Sequence, residues 1–169
     1  MKKTILPILL ALMTFTTVQA QKYALIDMEY ILKNIPAYER ANEQLTQVSK
    51  RWQAEVEALN TEAGTMYKNY QNEVVFLSQE QKQARQDAIM QKEKEAADLK
   101  KKYFGPEGEL FKKRESLMSP IQDEIYNAVK EVSELRGYQM VVDRAFNSGI
   151  VFASPRIDIS NEVLQKLGY

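Results

Sequence analysis

The chain reads as an α+β protein in which a long antiparallel coiled-coil hairpin extends as an arm from a small β-rich body. Three observations predict this. Between Pro36 and Pro106 lie 69 residues with no proline and only two glycines, Gly64 and Gly105, and Ala, Glu, Gln, Lys, Leu and Arg dominate the stretch, as suits a helix. Runs that read as strands occur only toward the two ends of the chain. Among 169 residues there is no Cys and no His, and 23 Lys and Arg balance 23 Asp and Glu. These absences exclude disulfide scaffolds, thiolate or imidazole metal sites, Cys nucleophiles and Ser-His-Asp triads. Balanced charge speaks against a nucleic-acid binder, which needs a basic footprint. No cofactor or metal is expected, and no enzyme.

Residues 1–20 read as a secretory signal. Lys2 and Lys3 precede an apolar stretch from Ile5 to Val18, and Val18, Gln19 and Ala20 present a cleavage site after Ala20. The apolar run is short of the ~20 residues that a membrane anchor needs. No Cys follows the site to carry lipid. The mature chain then begins at Gln21, has 149 residues and a net charge of −2.

Lys22 to Asp27 is the first strand, and Asp27 is placed to cap a short helix through Lys33. The long helix follows. Its apolar stripe runs Tyr38, Ala41, Leu45, Val48, Trp52, Val56, Leu59, Ala63, Met66, Tyr70, Val74 and Leu77, always in steps of three or four. The mean step of about 3.55 residues is a heptad pattern with two stutters. Ser78 and Gln81 form a capping box, so a second helix starts there and the chain turns back. With the turn at residue 78, facing residues have numbers that add to about 156. Pro36 and Pro120 then bracket equal arms, 37–77 and 79–119, each about 60 Å long. The first arm has four basic and six acidic residues, the second ten and eight. Their pairing is mildly favourable.

The returning arm is poor in large apolar residues. From Ser78 to Lys102 it has only Ile89, Met90 and Leu99, so the outer hairpin should be weakly held. Tyr103 to Gly108 interrupts it opposite Arg51 and Trp52. This interruption is either a local kink filled by aromatic packing or a hinge.

Residues 21–36 and 120–169 form the body. Ile121 to Arg136 continues as a helix with Ile121, Ile125, Ala128, Val129 and Val132 on one stripe, stopped by Gly137. Tyr138 to Asp143 is a second strand, and a turn at Asn147 to Gly149 leads into a third, Ile150 to Ala153. Ser160 caps a last helix that ends at Gly168. Sixty-six residues with open strand edges make a marginal core, for which oligomerisation is the cheapest remedy. The candidate subunit interface is Tyr23, Leu25, Ile26, Met140, Val142, Ile150 and Phe152.

Asp27, Asp143 and Asp158 sit at element ends with capping or turn roles, and no glycine-rich phosphate loop is present. The basic triplets Lys100 to Lys102 and Lys112 to Arg114 read as a solvated face or as a peripheral contact for acidic lipid. Met66, Tyr67, Tyr70, Val74, Val75 and Phe76 cluster near the end of the outgoing arm, with Ile89 and Met90 on the return. Two adjacent stripes cannot both face one thin helix. Tyr67, Val75 and Phe76 are left over as a candidate surface for something apolar and extended.

The signal, the strand Ala24 to Asp27, the long hairpin and the runs Pro120 to Ile125, Gly137 to Asp143 and Asp158 to Leu164 together resemble the Skp/OmpH family of periplasmic chaperones. The resemblance covers the whole mature chain. It implies a homotrimer, in which the body is a trimerisation domain and three arms surround a cavity. That cavity would hold unfolded outer-membrane β-barrel proteins without ATP, through the leftover face of the arms. The chain departs from the family in its acidic balance and in the interruption at Gly105 to Gly108. A structural coiled-coil adaptor or spacer of the cell envelope is the rival reading.

Overall fold

The structure, a computed structural model, describes residues 21–146 and 149–169. The signal expected at 1–20, and Asn147 and Ser148 of the expected turn, lie outside them. Strand β1 (Tyr23–Ile26) leads into helix α1 (Met28–Lys33), and the carboxylate of Asp27 accepts the Tyr30 N–H at 2.9 Å as the cap requires. Ile35 is extended, as a residue before proline must be, and Pro36 opens α2 (Pro36–Glu73), where its missing N–H costs nothing. A short 3-10 turn (Val74–Phe76) joins α2 to α3 (Gln79–Phe104), and α4 (Glu109–Arg136) follows. Strand β2 (Met140–Asp143) and α5 (Ser160–Leu167) complete the chain.

The two strands pair in parallel, Tyr23 with Met140 through Ile26 with Asp143. A parallel pair needs a crossover, and here the whole helical excursion is that crossover. Above the strands sits one core. Ala24, Ile26, Ile31, Ile35 and Ala41 from the first part of the chain meet Ile121, Ile125, Ala128, Val132, Ile159, Val163 and Leu164 from the last. Ion pairs Arg136–Glu162 at 3.1 Å and Lys166–Glu131 at 2.5 Å fasten α5 to α4 from outside. They are exposed and contribute modestly. Gly137 ends α4 in the left-handed conformation at φ 72°, which a side chain would resist.

Two expectations are corrected. Ile150 to Ala153 is not a strand; Val151 is fully exposed and Phe152 is 85% exposed. The free edge of β1 is taken instead by Asp158, which bridges to Leu25, while the Ile159 N–H bonds to the Leu25 carbonyl at 2.9 Å. Ser160 does not cap α5. The Asp158 carboxylate accepts its N–H at 2.9 Å, and the Ser160 hydroxyl accepts the Asp27 N–H at 2.8 Å. Helix α4 runs through Pro120 without a break, in keeping with the helix expected to continue from Ile121 to Arg136. The loss of one N–H and the steric cost there are offset by burial of Ile121 and Ile125 directly after it.

Arg144 closes the strand ends. Its guanidinium lies 3.2 Å from Asp27 and 3.4 Å from Asp158, and Asp143 accepts the N–H groups of Met28 and Ala145. The three carboxylates are thus absorbed in structure, and among the described residues no acidic cluster suits a metal ion.

Ile125 is fully buried, whereas Phe76 is 87% exposed. Ile125→Ala should lower stability by about 2–5 kcal/mol. Phe76→Ala should change it by less than about 0.5 kcal/mol. Urea unfolding at fixed protein concentration measures both, and equal effects would mean that the core is misplaced.

Candidate functional site

The long helices carry the candidate surface. At the turn, the Ser78 N–H donates to the Gln81 side chain at 2.9 Å and the Ser78 hydroxyl accepts the Gln81 N–H at 3.2 Å, so the expected capping box starts α3. From there α3 lies back along α2. Arg85 reaches Glu73 at 3.5 Å, Gln86 donates to the Tyr70 hydroxyl at 3.0 Å, and Lys92 reaches Glu62 at 3.3 Å. Farther down, the Tyr103 ring stacks on Trp52 with centroids 4.6 Å apart and planes 7° apart. The numbers of these partners add to between 154 and 158, centred on the expected register.

The seam between the helices is thin. Its buried residues are Val56 and Ala63 on α2 and Ile89 and Ala96 on α3. Of the candidate binding residues, Ile89 is therefore spent inside the pair, and Met66, Tyr70 and Val74 are half-buried. Four are open: Tyr67 at 50%, Val75 at 76%, Phe76 at 87% and Met90 at 57% exposure. Val75 and Phe76 stand at the extreme end of the pair, about 57 Å along α2 from its start.

The candidate interface residues of the body also divide. Leu25 and Ile26 are buried by their own chain and so serve its core rather than a neighbour. Val142 and Ile150 are half-buried, whereas Tyr23, Met140 and Phe152 are exposed. Two exposed apolar residues beside them, Phe146 and Val151, were not among the candidates. Their signal was available: large apolar side chains in a segment rich in turn residues.

Charge on the arm is mostly local. Lys92 sits between Glu95 and Glu62, whose hydrogen bonds hold its pKa above the ordinary value, and Lys92 together with Gln91 holds Glu95 below its own. The Tyr103 hydroxyl donates to Glu55 at 2.6 Å, and that carboxylate raises the tyrosine pKa. Among the described residues no helix is long and apolar enough to cross a membrane.

Comparison with known proteins points one way. A family model described as outer membrane protein (OmpH-like) matches residues 22–167. The chain is similar to the chaperone protein Skp of Yersinia enterocolitica, at 26% identity over 160 residues, covering 94% of this chain and 93% of that one. In fold it is similar to the crystal structure of an OmpH-like outer membrane chaperone from Caulobacter crescentus CB15. The TM-score is 0.70 at 13% identity, over 88% of this chain and 84% of that one.

The Tyr103–Glu55 bond has a definite pH signature. A phenol pKa raised by folding stabilises the fold fully below the unfolded value of 10.0, and that contribution is lost as pH rises through the raised value. Trp52, the single tryptophan of the chain, stacks on this ring and reports it. Its fluorescence should stay constant up to about pH 10 and change above it. In Tyr103→Phe the change should vanish; if it persists, the Trp52 signal follows some other group.

Proposed function

The chain belongs to the OmpH-like outer membrane protein family, a family of chaperones and not of enzymes, and from that premise we propose that it is an ATP-independent holdase of the periplasm. Its clients are unfolded outer-membrane β-barrel proteins. The mature chain is a homotrimer whose coiled-coil arms, residues 37–119, extend from a trimerisation body of residues 21–36 and 120–169. The exposed Val75 and Phe76 at the far end of a thinly packed helical pair carry this reading most directly.

The physics supports it in three ways. Precursors of β-barrels have segments of about ten residues with alternating apolar and polar side chains, and in water they aggregate. A surface that holds such chains must be apolar, open and tolerant of sequence. Tyr67, Val75, Phe76 and Met90 meet that description, being apolar and exposed. Weak contacts suffice when several arms act at once, because the second and third contacts are made at high effective concentration.

The body offers a reason to associate. Tyr23 and Met140 are cross-strand partners and both are exposed, and Phe146, Val151 and Phe152 are further exposed apolar residues of the body. Several exposed large apolar side chains on a small body are costly in water and favour a partner of like surface. A net charge of −2 on the mature chain gives no basis for strong electrostatic capture. Binding should therefore weaken only modestly with salt.

Suppression of aggregation of a urea-diluted outer-membrane barrel tests the reading. Wild-type protein should suppress it equally with and without nucleotide. Single alanine changes at Tyr67, Val75 or Phe76 should be nearly silent, while the triple change should weaken holding several-fold without unfolding the protein. Failure of the wild-type protein at both low and high salt would sink the chaperone reading and favour a structural adaptor of the envelope.

Native mass spectrometry tests the assembly. At micromolar concentration the mature chain should weigh three times its monomer. Val142→Asp or Ile150→Asp should give monomers, and a stable wild-type monomer would refute the trimer.

A further inference from the structure

The outgoing and returning paths of the arm differ in construction. Helix α2 is one rod from Pro36 to Glu73, whereas the return is two rods, α3 and α4, parted at Gly105 to Gly108. The break needs its glycines. A β-carbon on Gly105 would stand 2.4 Å from the Lys101 carbonyl oxygen, and one on Gly108 would stand 2.7 Å from that of Tyr103. No side chain tolerates such approaches, so only glycine permits this path.

One contact holds α3 to α2 immediately before the break. The Tyr103 ring lies flat on Trp52, its hydroxyl donates to Glu55 at 2.6 Å, and Phe104 meets the Tyr103 ring edge-on at 6.3 Å. Inward of the break, α4 is anchored in the core by Ile121, Ile125, Ala128 and Val132. Outward, the buried seam is Val56, Ala63, Ile89 and Ala96, supported by partly exposed polar pairs. An open groove lined by Gln53, Val56, Asn60, Lys100 and Phe104 already runs beside the last turns of α3.

We infer that the Trp52–Tyr103–Glu55 contact is a latch that controls whether the last turns of α3 lie on α2. When it opens, residues ~92–104 lift, the four residues of the break supply the slack, and Val56 and Leu59 beneath are uncovered. The ladder of α4 is not disturbed, because the break already separates the two helices. Opening thus adds apolar surface midway along the arm, to the surface at its end. Only this use of the uncovered stripe, to engage an unfolded chain, rests on the chaperone reading. The latch itself does not.

Hydrogen exchange of the mature chain without client, together with Trp52 emission, is the test. In Tyr103→Ala, amides of residues ~92–104 should exchange on the order of tenfold faster and Trp52 emission should move to the red, while residues 121–132 keep their protection. Tyr103→Phe, which keeps the stack, should change exchange by less than about threefold. Trp52→Ala should speed the same segment as Tyr103→Ala, and the double change should add nothing, because both remove one contact. Unchanged exchange in Tyr103→Ala would overturn the latch. So would equal acceleration of 121–132, or additive effects in the double variant, since the rings would then be ordinary packing. A failed aggregation assay with wild-type protein would leave the latch standing, and a failed exchange result would leave the chaperone reading standing.

Discussion

The constraint on which everything depends is the parallel pairing of two strands that lie 117 positions apart. Neither strand has more than four residues, and two strands alone are not stable in water. They persist because Ile31 and Ile35, just after β1, meet Ile125 and Val132, just before β2, and because α5 covers them with Val163 and Leu164. Arg144 then ties the ends of the strands to Asp27 and Asp158. Once the base is closed, the intervening chain must leave and come back, and two long helices side by side are the simplest path that satisfies every backbone group.

That division explains how apolar surface is distributed. The base is rich in Ile and Val at full burial, as a small core must be. The arm buries two alanines, a valine and an isoleucine in its outer seam and leaves larger side chains outside. Such an arrangement is poor for stability and good for contact, and it is affordable only because the arm does not hold the fold together. Local opening can then occur in the arm at a cost far below that of global unfolding.

Much of this was legible in the sequence because it is local. Ser78 with Gln81 marks the turn, and once the turn is known the register follows from counting, which is why Trp52 could be placed opposite Tyr103 and Phe104. Asp27 and Gly137 terminate helices by side-chain and backbone chemistry that neighbours do not alter. Tertiary competition decided the rest. Ile150 to Ala153 has strand composition, but Asp158 wins the free edge of β1 because the turn into α5 brings it there. The exposure of Phe76, by contrast, followed from a simple limit: one thin helix cannot cover two stripes.

Because α4 passes unbroken from Gly108 into the base, the anatomical border between arm and body is not a plane that cuts both helices at the same height. On the outgoing side the base reaches up to Ala41; on the return side a single rod belongs to both parts. The exchangeable module is therefore not the equal-armed hairpin between the two prolines. It is the piece beyond the glycine break, from about residue 52 to Phe104, whose two ends already stand face to face at the Trp52–Tyr103 stack. Closing a loop costs free energy only as the logarithm of its length. Arms of quite different reach, or of different surface chemistry, could thus be grafted at that level without disturbing the base that carries them.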